Sequence, residues 1–383
     1  MGSTLMSHLH ALGGGIAGYV IPFLFVLSIV VFFHELGHFL IARWCGVRIL
    51  VFSIGFGPEI IGFNDRHGTR WKISAIPLGG FVKFFGDDNV ASASSEARLA
   101  DIDPRERATS FVFQSVGKRA AIVVAGPLAN FVLAVAIFTA IFMFYGKQTM
   151  SARVDAVQPD SAAAAAGFQP GDLVVAIDGE LVDSFADMQR VVSESAGETL
   201  AITVERDGVR RVLKAAPMLK EVKDNFGNVR RIGILGISRS MAASDLKFEP
   251  VRPLQAVSMG VKETWFVVDR SLSYLAGVLV GREPADQLGG PIRIAQMSGQ
   301  VATIGFVALI HLAAVLSVSI GLLNLFPIPL LDGGHLLFYS IEALRGRPLS
   351  DRAQEVGFRI GLAIVLMLMI FATFNDIVHL TTS

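Results

Sequence analysis

Charged residues are scarce in this chain of 383 residues, in which Asp, Glu, Lys and Arg together make up 17%. Soluble domains usually carry about 25% charged residues, so the deficit predicts a membrane protein. Hydrophobic residues make up 52% of the chain, in agreement with this class. Acidic and basic residues both number 33, and a net charge of zero gives no electrostatic signature of a nucleic-acid-binding protein.

Cysteine occurs only at Cys45, which excludes a disulfide within the chain. It lies among basic residues after the first apolar run, as expected at a reduced cytosolic boundary. Because it follows two nearby histidines it could be a metal ligand, but we favour a small membrane-edge residue, since such sites take their later ligand from elsewhere. Lys and Arg are absent from the first twenty residues, so the first apolar run is expected to be a retained span.

Four apolar segments are long enough to cross a bilayer. The loop from Arg43 to Arg119 contains eleven Lys and Arg residues, whereas none precedes the first span. The positive-inside rule therefore predicts a cytosolic loop, with both termini and the region after the second span outside. The four transmembrane helices are predicted within 1–48, 119–146, 301–335 and 353–379. Between the first two, 49–86 is predicted to form membrane-associated β-hairpins and 87–118 a cytosolic loop. Residues 219–300 are predicted to form an extracytoplasmic hairpin followed by an amphipathic helix.

The 49–86 segment predicts four short apolar strands separated by glycine and proline turns. A hairpin layer this hydrophobic is expected to dip into the membrane. Residues 147–218 show a different, α/β pattern, with a helix over 183–195 capped by Asp183 or Ser184. The order of these elements, and the run from Asp160-Ser-Ala-Ala to Ile177-Asp-Gly179, resembles a bacterial PDZ domain.

The segment His34-Glu35-Leu36-Gly37-His38 carries the chemistry. Two histidines four residues apart lie on one face of a helix, so both imidazoles can bind one metal ion. Glu35 lies where it can take a proton from a water molecule on that metal. A catalytic zinc site usually takes three protein ligands and leaves one position open, so a third ligand is required.

The strongest candidate for the third ligand is Asp332, near the end of a long apolar run. A carboxylate at membrane depth is costly unless it pairs or binds a metal. Pro327 and Pro329 are expected to end the preceding helix, and the irregular backbone can direct the carboxylate inward. His335 and His311 are rivals: His311 is expected to pack in its span, and His335 to support the site from outside the ligand set.

These motifs, with Asn324-x-x-Pro327-x-Pro329-x-x-Asp332-Gly333, resemble the site-2 protease family of intramembrane zinc metalloproteases. Gly126-Pro127-x-x-Asn130 and Gly289-Gly290-Pro291-Ile292 match further family signatures. With one PDZ-like insert, the chain is similar to the bacterial regulator of sigma-E protease branch, whose best-studied members carry two PDZ domains in tandem. The resemblance implies that His34, His38 and Asp332 bind Zn²⁺, that Glu35 is the general base and then the proton donor, and that Asn324 binds the substrate backbone, with Pro327 and Pro329 beside it.

The expected fold is therefore an α-helical polytopic membrane protein with about four transmembrane helices, a membrane-associated β-hairpin layer and one extracytoplasmic PDZ domain. The resemblance implies a zinc endopeptidase of the bacterial inner membrane that cleaves single-span membrane proteins, such as trimmed anti-sigma factors or remnant signal peptides. Its expected partners are those substrates, membrane lipid, and a peptide or C-terminus at the PDZ domain. The alternatives are a non-catalytic PDZ-bearing scaffold, which would have lost metal ligands, and a metal transporter, which would carry more polar residues in its spans.

Overall fold

The computed structural model describes residues 16–86, 103–149, 151–223, 229–239, 247–285 and 289–382. The chain forms two compact units, Met1–Ile141 with Leu254–Ser383, and Phe142–Pro253. In chain order the described helices are α1 (Ile16–Trp44), α2 (Val116–Tyr145), α3 (Ala162–Ala165), α4 (Phe185–Glu194), α5 (Pro253–Leu279), α6 (Pro291–Ile304), α7 (Phe306–Asn324), α8 (Asp332–Arg345) and α9 (Asp351–Thr382).

Four helices of the first unit, α1, α2, α7 and α9, are long and apolar enough to span a membrane. Mean hydropathy in their most apolar stretches is 2.2 to 2.4. Half of that stretch in α2 is buried inside the protein, against 11% in α1 and in α9. The second span, α2, therefore lies at the centre of the unit. Large apolar side chains of α1 and α9 remain on the surface of the unit, as in a protein surrounded by lipid.

The predicted third span of 301–335 is wrong in its boundaries. Residues 301–304 belong to α6, which ends at Ile304 with Gly305 as its C-cap, and α7 runs only from Phe306 to Asn324. Gly305 has a φ of 141°, which glycine adopts more readily than other residues. This residue separates α6 from α7. Residues 325–331 are irregular, as the prolines predicted, and α8 begins at Asp332 itself.

The amphipathic helix predicted within 219–300 corresponds to α5. Its small residues Ala256, Gly260 and Thr264 are buried, whereas Leu254 and Trp265 are exposed. A methyl group on Gly260 would contact the Val135 carbonyl and the Thr139 side chain of α2. The helix thus packs its small-residue face on the second span, a contact that the sequence did not predict.

The four short strands predicted within 49–86 form two long strands, β1 (Ile49–Asn64) and β2 (Arg70–Phe84). The glycines expected to break them, Gly55, Gly57 and Gly79, adopt positive φ and bend the chain without ending its pairing. Residues 51–54 face both 80–83 and 70–73, and residues 59–64 face 70–74. The register therefore orders the segments as 80–84, 49–54, 70–74 and 59–64, with 80–84 at one edge.

The second unit contains short strands and a four-stranded sheet. A described core of buried side chains, including Val154, Ile202 and Leu235, lies at its centre. Ser161 caps α3 and Ser184 caps α4, so Ser184 rather than Asp183 is the cap. The turn of the hairpin predicted within 219–300, at 225–228, lies outside the described residues. The strands are β3 (Lys147–Thr149), β4 (Ala156–Val157), β5 (Leu173–Ile177), β6 (Glu180–Leu181), β7 (Leu200–Arg206), β8 (Val209–Ala215), β9 (Met218–Lys223), β10 (Val229–Ile234), β11 (Ile237–Ser238) and β12 (Lys247–Glu249), and the sheet order is β6-β5-β7-β8.

Candidate metal centre

The two imidazoles of α1 point to one place. The Nε2 atoms of His34 and His38 are 3.3 Å apart, and the ring planes are nearly perpendicular. Both Nδ1 atoms face α2, where that of His38 lies 2.9 Å from the Ile122 carbonyl oxygen. That of His34 lies 3.3 Å from the side-chain nitrogen of Asn130. The spacing of four residues therefore places both rings on the face of α1 that meets the second span.

Asp332 reaches the same place from the start of α8. Its Oδ2 lies 3.2 Å from His34 Nε2 and 3.6 Å from His38 Nε2. The preceding irregular segment folds back so closely that a methyl group on Gly333 or Gly334 would overlap its backbone. The two glycines therefore permit the bend that brings the carboxylate from the end of an apolar run to both histidines.

The donor set fits a zinc ion. Zinc takes tetrahedral nitrogen and oxygen ligands at about 2.0–2.1 Å, which separates any two ligand atoms by about 3.3–3.4 Å. The three separations here, 3.2, 3.3 and 3.6 Å, match that value. Asp332 Oδ2 is buried and makes no hydrogen bond of acceptable geometry to any described residue. Burial of this oxygen is unfavourable unless it binds a cation. Among described residues, this trio forms the group of His, Cys and acidic side chains close enough to hold a metal.

Glu35 lies beside this trio and next to the edge segment 80–84. The Val82 backbone N–H donates a hydrogen bond to its carboxylate. A Cβ placed on Gly80 would lie 3.1 Å from Glu35 Cγ, so the strand passes directly over the acidic side chain. The glycine at position 80 permits this close approach.

A cavity of about 800 Å³ contains the trio and Glu35. Phe81 and Val82 of the edge segment line it, and so does Asn324 at the end of α7. The cavity is therefore large enough for a short extended peptide as well as water. It also brings the substrate-binding candidate Asn324 to the same space as the metal-binding candidates.

The remaining candidates lie elsewhere. His335 lines the cavity, but its ring packs near Tyr339 and Phe358, outside the trio. His311 lies on α7 with its ring 5.2 Å from that of Phe138. Pro327 and Pro329 belong to the irregular segment before Asp332, and neither lines the cavity. Cys45 lies outside the trio.

Sequence reasoning missed the contribution of α2 to the centre. Ile122 and Asn130 face the two Nδ1 atoms, and a methyl group on Gly126 would overlap the ring of His38. These three positions are four residues apart and share one face of the helix. The signature Gly126-Pro127-x-x-Asn130 was the available signal, and it came without an assigned role.

Comparison with known proteins gives a consistent answer. The model of peptidase family M50 matches residues 22–368. A protein of Agrobacterium fabrum named "Putative zinc metalloprotease" is 52% identical, over 97% of this chain and 99% of its own length. Metalloprotease MmpA of Caulobacter vibrioides is 41% identical, over 94% of this chain and 95% of its own.

A solved PDZ domain of an SdrC-like protein from Listeria monocytogenes also matches. It is 22% identical, covers 22% of this chain and 83% of its own, and has a TM-score of 0.18.

The family match confirms the predicted resemblance to site-2 proteases and the prediction of a metalloprotease. The four apolar helices agree with a polytopic membrane protein. The matched residues include the His34 motif and the Asp332 motif, and the relatives align along almost their whole length. The chain therefore belongs to peptidase family M50, the site-2 proteases.

Proposed function

We propose that this chain is a zinc endopeptidase that hydrolyses peptide bonds within or near the transmembrane segments of single-span membrane proteins. One observation carries the proposal. The Nε2 atoms of His34 and His38 meet Asp332 Oδ2 beside Glu35, in a cavity of a unit whose helices are apolar enough to span a bilayer. A scaffold without catalysis would not need this set of ligands in such an environment.

His34, His38 and Asp332 would hold the zinc ion and leave one position open. Zinc bound there supplies a Lewis acid that polarises the scissile carbonyl and acidifies a water molecule. Glu35 takes the proton from the attacking water and delivers it to the nitrogen of the leaving amine. The Val82 N–H that donates to Glu35 holds the carboxylate toward the cavity before a substrate arrives.

A transmembrane helix must unwind before its carbonyl groups can be attacked, and its freed amides then need partners in a dry environment. Segment 80–84 can supply them by strand addition, because it lies at the sheet edge and lines the cavity. Segment 70–73, in contrast, has register partners on both sides. Substrate is therefore expected to pair with 80–84.

The proposed substrates are single-span proteins such as trimmed anti-sigma factors or remnant signal peptides, by resemblance to the family. The proposed location is a bacterial inner membrane, with both termini and the second unit extracytoplasmic. The eleven basic residues from Arg43 to Arg119 support that orientation. As a PDZ domain, the second unit would bind a peptide or a newly formed C-terminus outside the membrane.

Cleavage of a model single-span substrate in detergent tests the proposal, with the parent compared with Glu35→Gln and His34→Ala. Glu35→Gln should bind zinc normally and lose cleavage by at least about 1000-fold, because only the proton transfer is removed. His34→Ala should lose both zinc and cleavage. His311→Ala is the matched control, since that histidine also lies in a span but outside the trio.

Undiminished cleavage by Glu35→Gln would contradict the proposal. So would equal zinc loss in the His311 and His34 variants. Removal of zinc with a chelator should abolish cleavage in the parent, and re-addition of zinc should restore it.

A further inference from the structure

The carboxamide of Asn130 is buried against the imidazole of His34. The residue is 0% exposed, and its Nδ2 lies 3.3 Å from His34 Nδ1. Its Oδ1 is buried without a hydrogen-bond partner in the part of the chain that the structure describes. The backbone oxygen of Asn130 accepts a hydrogen bond from Ser317 Oγ of α7 at 2.9 Å. A buried amide oxygen without a donor costs about 1–3 kcal/mol, so this arrangement needs an explanation.

The neighbouring His38 shows the arrangement that a metal-binding imidazole requires. Its Nδ1 lies 2.9 Å from the Ile122 carbonyl oxygen, which can only accept a hydrogen bond. His38 therefore carries its proton on Nδ1, and its Nε2 keeps a free lone pair. That Nε2 is the atom that faces Asp332.

His34 must be neutral with its proton on the same nitrogen to present Nε2 in the same way. An Nδ1–H group facing an amide nitrogen would place two donors together. A half-turn of the Asn130 carboxamide resolves the conflict, because Oδ1 then accepts from His34 Nδ1 and also gains the donor that it lacks. This rotation pairs Oδ1 with the Nδ1–H group of His34.

We infer that Asn130 is a positioning residue that accepts the Nδ1 proton of His34 and so leaves Nε2 free for the metal. The inference rests on the proposed function, because it assigns a task within the same zinc site. The hydrogen bond from Ser317 to the Asn130 backbone holds this part of α2 against α7. Asn130 is therefore anchored on one side and directed at the imidazole on the other.

Three variants of the purified full-length protein test this inference, with zinc affinity measured by competition against a chromogenic chelator. Asn130→Leu keeps a similar volume but removes the acceptor, and it should bind zinc about 10–100-fold more weakly. Asn130→Asp keeps an acceptor oxygen at the same place and should stay within about three-fold of the parent. Ser319→Ala is the matched control and should bind zinc as the parent does, because the Ser319 hydroxyl donates its hydrogen bond to the Val315 backbone oxygen within α7.

Nitrogen NMR of labelled histidine provides a second readout. The zinc-loaded parent should show His34 protonated on Nδ1, and this signature should persist in Asn130→Asp. Zinc affinity of Asn130→Leu equal to that of the parent would overturn the inference, and so would equal losses in the Leu and Asp variants. A parent that binds no zinc would instead contradict the proposed function itself.

Discussion

Gly126 controls the space into which His38 fits, and its replacement by alanine is the sharpest test of the geometry. A methyl group at this position would overlap Nε2 of His38, the atom proposed to bind zinc. Even Cδ2, a more distant ring atom, would lie 2.9 Å from the methyl carbon, whereas ordinary contact begins at 3.4 Å. The imidazole must therefore move by more than 0.5 Å, the difference between these two distances.

A displacement of this size removes the ligand, because metal–ligand distances tolerate only about 0.2 Å. Loss of an outer hydrogen-bond partner costs about 10–100-fold in metal affinity, and loss of a ligand should cost more. We expect Gly126→Ala to bind zinc at least about 100-fold more weakly, equivalent to about 2.8 kcal/mol. The fold should survive, since His38 can rotate away at the cost of its hydrogen bond to Ile122, about 1 kcal/mol.

The assay is zinc competition on the purified protein, combined with thermal unfolding of the metal-free form. Gly117→Ala is the matched control, because Gly117 lies on the same helix and a methyl group there meets nothing within 4 Å. This control should bind zinc as the parent does. Zinc affinity of Gly126→Ala within about three-fold of the parent would refute the placement of His38 against α2.

Three further predictions concern other parts of the molecule. Val82→Pro removes the edge N–H that donates to Glu35, so it should impair cleavage while zinc content stays normal. Equal loss of cleavage and zinc would contradict this role of the edge segment. Asp376 on α9 is 2% exposed and accepts hydrogen bonds from three backbone N–H groups at the start of α6. Asp376→Ala should therefore lower the free energy of unfolding by about 2–3 kcal/mol. An unchanged melting temperature would contradict this prediction. Burial alone would raise the pKa of Asp172, but hydrogen bonds from Arg206 and the backbone lower it below its ordinary value. The resulting stability is fully present above the unfolded pKa and is lost as pH falls through the folded pKa. Hydrogen exchange should therefore show Asp172→Asn destabilised at about pH 7, and the difference from the parent should shrink as pH falls below about 3.9.

The ligand candidates followed from two features of the sequence. The spacing of His34 and His38 places their rings on one helical face, and the structure has them with Nε2 atoms 3.3 Å apart. Asp332 followed from the cost of a carboxylate at the end of an apolar run, and the structure brings it to both rings. Neither feature depends on knowing the path of the chain between them, which explains why both could be used before a structure was available.

Strand boundaries could not be predicted in the same way. Gly55, Gly57 and Gly79 are local signals for turns, and they do bend the chain. Whether a bend ends a strand depends on distant partners, because pairing resumes when a neighbouring segment lies within hydrogen-bonding distance. Segment 70–73 shows this dependence: it pairs with 51–54 on one side and with 61–64 on the other, so neither of its sides is left for a substrate strand.

The part played by α2 shows a different limit. The acceptor for His38 is the backbone oxygen of Ile122, and every residue type offers that group, so no side chain marks the position. Gly126 and Asn130 follow at intervals of four, the interval that separates His38 from His34. Two helices packed with matching intervals place one position of α2 against each ring, so a change at Gly126 acts on His38 and a change at Asn130 acts on His34. Zinc affinity in the Gly126→Ala, Asn130→Leu double variant should therefore fall further than in either single variant, since each removes support from a different ligand.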